Sequence, residues 1–197
     1  MAAAAKIRYS KLLLGFAAMS ETPFVTRLAR REDLETLRTL MEASIAELQK
    51  GFLNESQIAA SRMIMGLDTQ LIEDGTYFVV EEAGTIAGRG GWSRRATVYG
   101  GDHSPGRDAA LLDPGKDAAR VRAMYTRPSY KRRGVGRLIL SLCEDAARRE
   151  GFARAELVAT LAGAPLYRAC GYRATEDFFD ESGGTAVPLI RMSKRIA

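Results

Sequence analysis

The chain has 197 residues (21.5 kDa), of which 46% are hydrophobic, 27% charged and 8% aromatic. That composition suits one α/β domain large enough to bury a core without disulfide or metal staples, and it excludes disorder, collagen-like repeats and a disulfide scaffold. Net charge is +5 and the pI about 9.4, which admits an anionic cofactor or a nucleic acid as partner.

Cys143 and Cys170 lie far apart with no ligand-like spacing, and one histidine, His103, is too few to complete a zinc site with them, so no metal is expected. A reducing cytoplasm is the natural compartment for such a chain. No run approaches the roughly eighteen apolar residues of a membrane-spanning helix, so no membrane partner is expected. Residues 1–18 carry Lys6, Arg8 and Lys11 and no acid, around a short apolar stretch that only loosely suggests a signal peptide. We read them as a disordered extension, for which an upstream start codon is one account, followed by a single domain over residues 19–197.

Residues 24–29 alternate as a short strand. Leu34, Leu37, Met41, Ile45 and Leu48 follow at three- and four-residue spacings, which predicts a helix over 31–50 that Gly51 stops. Asn54 with Gln57 has the spacing of a capping box and opens a second helix, running to Gly66. Residues 76–82 and 85–94 read as two strands joined by the Ala83-Gly84 turn, a hairpin whose second arm carries Gly88, Gly90 and Gly91. Glycines there point to a bulge or a close backbone approach. The turn-rich stretch 99–116 is long enough to be functional or mobile. A strand over 118–127 is closed by Pro128. A strongly amphipathic helix follows, with Val135, Leu138, Ile139, Leu142, Cys143 and Ala146 on one face and Gly151 past its end. A strand over 154–160, a short helix over 163–170 with Pro165 in its first turn, and strands over 172–180 and 185–194 complete the chain. This order gives an α/β fold with a sheet of mixed sense and helices on both faces.

The chemistry concentrates where the strand over 118–127 meets the amphipathic helix. Lys131, Arg132, Arg133 and Arg137 crowd a helix start around Gly134 and Gly136. Cations there oppose the helix dipole by a few tenths of a kcal/mol each. The cluster makes sense if an anion occupies the site, with the glycines letting backbone N–H groups approach it. A solvated basic helix end is the ordinary alternative. There is neither a Walker loop nor a third glycine of a dinucleotide fingerprint, so a pyrophosphate would be held in another way.

The segment Lys131-Arg132-Arg133-Gly134-Val135-Gly136, with Pro128 ahead and the helix behind, resembles the R/Q-x-x-G-x-G/A motif of the GNAT superfamily of acyl-coenzyme A-dependent N-acyltransferases. Leu166-Tyr167-Arg168-Ala169-Cys170-Gly171-Tyr172, about thirty residues on, resembles that family's second motif. The order of elements over residues 20–197 matches as well. One departure is Lys131, where the family usually has Arg or Gln; its amide would still serve, but a side-chain role does not carry over.

The resemblance implies a mostly antiparallel central sheet whose central strands splay apart. It implies acetyl-CoA as co-substrate, its pantetheine pairing with Met124, Tyr125 and Thr126 and its pyrophosphate resting on the amides from Arg132 through Arg133, Gly134, Val135 and Gly136 to Arg137. It implies direct attack by a primary amine, an oxyanion-stabilising N–H on the strand, and Tyr167 as the acid that protonates the thiolate, with nearby cations easing the transfer if they lower the phenol pKa. Packing on a short helix is the plain alternative for Tyr167. For the base, Glu81, Glu82, Asp102 and His103 are candidates. Trp92, Ser93, Arg94 and Arg95 either line an acceptor pocket or are solvated strand-end residues. The acceptor is a small-molecule or peptide amine, and a homodimer is left open. A non-catalytic acyl-CoA sensor on the same fold is the competing reading, and a nucleic-acid-binding domain a weaker third, because no stacking aromatics interleave with the basic residues.

Overall fold

The computed structural model describes residues 23–104 and 106–197. The expected disordered extension over 1–18 lies outside the described residues. A seven-stranded sheet organises the chain: β1 (Val25–Leu28), β2 (Tyr77–Glu82), β3 (Thr85–Ser93), β4 (Ala119–Thr126), β5 (Arg154–Thr160), β6 (Arg173–Asp180) and β7 (Val187–Arg195), in the spatial order β1-β2-β3-β4-β5-β7-β6. Every neighbouring pair is antiparallel except β4 and β5.

Helix α1 (Leu34–Leu48) follows a single 3-10 turn, and its Leu37, Leu40 and Ile45 pack with Val79 and Ile86 of the sheet. Helix α2 (Glu55–Ile64) starts on the expected capping box: the Gln57 amide donates to Asn54 Oδ1 at 2.9 Å, and the Asn54 amide donates to Gln57 Oε1 at 3.1 Å. Helix α4 (Val135–Arg149) covers the other face, burying Val135, Ile139, Leu140, Cys143 and Ala147 against Val80, Ala87 and Val121. Short α5 (Ala164–Ala169) packs beside it through Ala164 and Tyr167. Strand alternation therefore sends neighbouring residues to different helices, as Val79 and Val80 do.

Two features differ from the sequence reading. Helix α3 (Thr69–Glu73) was not expected; five residues with only Leu71 buried give no periodic signal. The stretch after β3 is less loose than its turn content suggests. Arg95 bridges to Leu111, the Ala96 amide donates to the Ala110 carbonyl at 2.9 Å, and Thr97 and Asp108 exchange hydrogen bonds at 2.8 and 2.9 Å.

The glycines of β3 do mark close approaches. A Cβ at Gly88 would come within 2.4 Å of Val135 Cγ1, and one at Gly90 within 2.2 Å of Met124 Sδ. Opposite them β4 carries one extra residue: Gly91 faces Arg122 and Arg89 faces Tyr125, two steps on β3 against three on β4. The surplus is absorbed at Ala123, which takes a positive φ of 53°. A bulge of this kind bends a strand. Before it, β4 pairs with β5 only at Ala119↔Ala155 and Arg120↔Glu156, whereas β5 pairs with β7 along its whole length. The sheet therefore splits between β4 and β5.

Candidate active site

The split opens a cavity of about 120 Å³. Arg122, Ala123, Met124 and Tyr125 of β4 form one wall, Val158 and Thr160 of β5 the other, with Gly163 and Tyr167 beyond β5. Ile64 at the end of α2, Met65 and Gly66 just after it, and Tyr99 and Gly100 cover it from the α1 side. A second pocket of about 310 Å³ shares Ile64, Val98 and Tyr99 with the first and adds Ser104, Asp180, Ser182 and Arg191.

Of the residues singled out from sequence, Met124, Tyr125 and Tyr167 meet at this cavity. Thr126 lies outside its lining, beside the first turn of α4, its Oγ1 3.8 Å from where a Gly136 Cβ would stand. Tyr167 is 7% exposed and packs edge-on against Tyr172 at 6.0 Å between ring centres. Burial pushes its phenol well above the ordinary tyrosine range, and Cys143, Tyr125 and Cys170 push the same way. The easing by nearby cations is therefore not what this environment provides.

The chain from β4 to α4 runs through a 3-10 turn at Pro128–Tyr130, after which Arg132 (φ 66°) and Gly134 (φ 86°) take left-handed conformations. Left-handed residues alternating with ordinary ones turn successive amides toward one side, the geometry of an anion nest. The first helical hydrogen bond runs from the Leu138 amide to the Gly134 carbonyl, so Val135, Gly136 and Arg137 have N–H groups with no acceptor in the helix. A Cβ on Gly134 would meet nothing within 4 Å, so the space above the turn is open. A diphosphate fits such a cradle. Lys131, Arg132 and Arg137 are exposed and form no ion pair among the described residues.

Two members of this stretch serve the fold instead. Arg133 bonds Glu82 at 2.6 and 2.9 Å and lies over the Tyr130 ring at 4.8 Å. Gly136 is needed for packing: a Cβ there would stand 2.8 Å from Leu166 Cδ2, where α4 meets α5.

The four candidate bases line neither pocket. Glu81 is held by Arg27 at 2.6 Å, Glu82 by Arg133, and Asp102 accepts from the Thr69 amide at 3.0 Å. His103 Nε2 lies 3.0 Å from the Met63 carbonyl. Trp92 to Arg95, read from sequence either as a pocket lining or as solvated strand-end residues, line neither pocket. Trp92 is core, edge-on to Phe152; Ser93 is buried and accepts from the Arg95 amide; Arg94 pairs with Glu150 and Arg95 with Asp74.

Sequence reasoning missed Tyr99 and Asp180, which belong to the cleft. The Tyr99 hydroxyl donates to Asp180 Oδ2 at 2.9 Å, and burial with that carboxylate raises its pKa to about 12. Asp180 is held below its ordinary value by the Ser182 hydroxyl and amide and by Tyr99, against a desolvation that works the other way. Only Tyr99 beside Gly100-Gly101 in a glycine-rich loop hinted at this.

The fold has close counterparts among solved structures. A GCN5-related N-acetyltransferase from Rhodopseudomonas palustris aligns over 92% of this chain and 99% of its own, with a TM-score of 0.66 at 19% identity. The PaiA N-acetyltransferase of Thermoplasma acidophilum, solved with coenzyme A, aligns over 87% and 98% with a TM-score of 0.60 at 16% identity. YncA of Salmonella typhimurium, solved with its cofactor acetyl-CoA, aligns over 89% and 95% with a TM-score of 0.59 at 16% identity. No curated protein matches the sequence at significant similarity. Among the described residues, no helix is long and apolar enough to cross a membrane, and no cluster of His, Cys, Asp and Glu is placed to hold a metal. The model of the acetyltransferase (GNAT) family matches residues 38–172, a stretch that takes in β2 to β5 with the split between β4 and β5, the α4 turn and Tyr167, and the chain belongs to that family.

Proposed function

We propose that the protein transfers an acetyl group from acetyl-CoA to a primary amine by direct attack in the cavity between β4 and β5. Acetyl-CoA supplies an activated thioester. The open amides of Arg132, Gly134, Val135, Gly136 and Arg137 hold its diphosphate, with Lys131, Arg132 and Arg137 adding charge around it; the Arg133 amide is already committed to the Tyr130 carbonyl at 3.3 Å. Met124, Tyr125 and Thr126 line up its pantetheine arm, and a backbone N–H of β4 near the Ala123 bulge stabilises the charge that develops on the carbonyl oxygen. As the C–N bond forms and the C–S bond breaks, Tyr167 Oη gives its proton to the departing sulfur and the amine loses a proton to solvent or a base.

The observation that carries this reading is the split itself: a cavity opened by the Ala123 bulge, with Tyr167 on its wall and an unpaired helix start at the same end of β4.

Calorimetry with coenzyme A on the wild type and a Gly134→Val variant tests it. Valine is strained at φ 86° and would fill the open space above the turn. The variant should remain folded and lose coenzyme A affinity by roughly 10²-fold or more, the scale of several charge-assisted hydrogen bonds. Unchanged affinity in a folded variant would contradict the diphosphate site. Tight acetyl-CoA binding with no thiol release across a broad amine panel would favour the non-catalytic sensor.

A further inference from the structure

On the α1 side of the cavity the sheet holds more positive charge than the fold accounts for. Arg89 of β3 is wholly buried at 0% exposure, and none of its guanidinium nitrogens has a hydrogen-bond partner among the described residues. It lies between two rings, 4.4 Å from the centre of Tyr125 and 5.4 Å from that of Tyr77. Arg122, the cavity residue just before the bulge, is 4% exposed, and its Nε and Nη1 are also without partners. Its Nη2 lies 2.8 Å from Asp68 Oδ2, in charge contact but without hydrogen-bond alignment. Asp68 is itself fully buried and also meets Arg107 at 3.0 Å. The other carboxylates nearby are committed, Asp74 to Arg95 and Asp102 to the Thr69 amide. Three arginines thus share one carboxylate.

Burying a cation without hydrogen-bond partners is among the costlier things a fold can do, and removing its charge is not an escape, since burial lowers the Arg89 pKa only to about 10. Stacking on Tyr125 and Tyr77 offsets part of the desolvation but supplies no acceptor for the N–H groups. What the cluster lacks is a second anion. Arg122 is the member nearest the cavity, since it belongs to the lining and runs directly into Ala123 and Met124. Its guanidinium nitrogens lie covered beneath that lining, so a ligand reaches them by displacing what covers them.

We infer that the acceptor amine carries a carboxylate, and that Arg122, backed by Arg89, receives it within the cavity. The inference rests on the acetyl-transfer reading above and names its substrate class. An amino acid bears its amine and carboxylate on one carbon. A carboxylate on Arg122 would therefore hold the amine beside the backbone of Ala123 and Met124, where the reading places the thioester carbonyl. A guanidinium suits a carboxylate through its planar fork of donors. The cavity of about 120 Å³ suits a small head group, with the adjoining pocket available to the remainder of the acceptor.

The test is thiol release at saturating acetyl-CoA with amino acids paired against their own α-amides, and with O-phosphoethanolamine as a second anionic amine. The amides keep the amine and side chain and have the more readily deprotonated amine, so a preference for the acids cannot come from basicity. The acids should be favoured by roughly 10²-fold in kcat/KM, as expected when a site built for a polar group meets an analogue lacking it. Arg122→Gln should abolish that preference while acetyl-CoA affinity, read separately by calorimetry, stays within about twofold. Should the variant fail to fold, the wild-type pairs decide alone. Equal rates for acid and amide, silence of both with acetyl-CoA bound, or a preference for O-phosphoethanolamine overturns the inference and leaves the transfer reading standing. Failure of the wild type to bind acetyl-CoA instead overturns the transfer reading.

Discussion

On the α4 side of the split sheet, Lys131, Arg132 and Arg137 stand exposed and unpaired among the described residues, and Gly134 faces open space. On the α1 side, Arg89, Arg122 and Asp68 are buried together, and Tyr99 is bonded to Asp180 from 81 residues away. The first side is made by one continuous stretch, in which a left-handed glycine ends a turn and a helix begins. The second is assembled from β3, β4, the chain after α2, the loop after β3 and the end of β6. A cofactor shared by many reactions can be met by a local backbone device, whereas a particular acceptor is met by side chains gathered from distant positions.

Tyr167 stands where the two sides meet, and its replacement should have the largest effect. General acid catalysis typically contributes about 10²–10⁴ in rate, so Tyr167→Phe should lower kcat by that order and leave coenzyme A affinity nearly unchanged, since the ring remains. The high phenol pKa in the empty cleft keeps the proton in place at any ordinary pH but makes its transfer uphill, which ties the prediction to the bound state. A kcat within a factor of a few, with chemistry rate-limiting, would make water the acid and Tyr167 a packing residue.

A smaller effect separates the two sides directly. Tyr99→Phe removes a hydrogen bond to the Asp180 carboxylate in the outer pocket and leaves the turn before α4 unchanged in sequence. Acceptor KM should rise by up to about tenfold, within the range for a hydrogen bond to a charged group, while coenzyme A affinity is unaffected. A matching loss of coenzyme A affinity would show that the two sides are not independent.

The smallest effect concerns acid. Arg27 holds the Asp33 carboxyl below its ordinary value through a side-chain hydrogen bond, and Arg95 does the same for Asp74. A depressed folded-state pKa adds stability that is present above the unfolded value, about 3.9, and is lost as pH falls through the folded one. Both carboxylates lie on the α1 side. Hydrogen exchange between pH 5 and pH 3 should therefore loosen β1, α1 and α3 before α4, and uniform loosening would contradict the contrast.

The same division explains what could be read from the chain. The Asn54–Gln57 capping box, the amphipathic face of α4, the β2–β3 hairpin and the glycine turn before α4 are all short-range patterns, and each appears where the sequence places it. The two motifs also brought Tyr167 and the strand before α4 to one cavity. The α1 side escaped because its signals are long-range. Arg122 sits in an alternating strand and looks like an ordinary half-exposed residue, and only packing under Asp68 and the Ala123 bulge buries it. Arg94 and Arg95 looked available beside a loop, but Glu150 and Asp74 take them from 56 and 21 residues away. Helix α3 was too short to announce itself.

A crystal structure of the protein with acetyl-CoA tests the central claim most directly. The account predicts the diphosphate on the amides from Arg132 to Arg137, the thioester in the cavity between β4 and β5, and Tyr167 Oη within hydrogen-bond distance of the sulfur. Acetyl-CoA bound elsewhere, or a thioester out of reach of Tyr167 with the diphosphate in place, would contradict it.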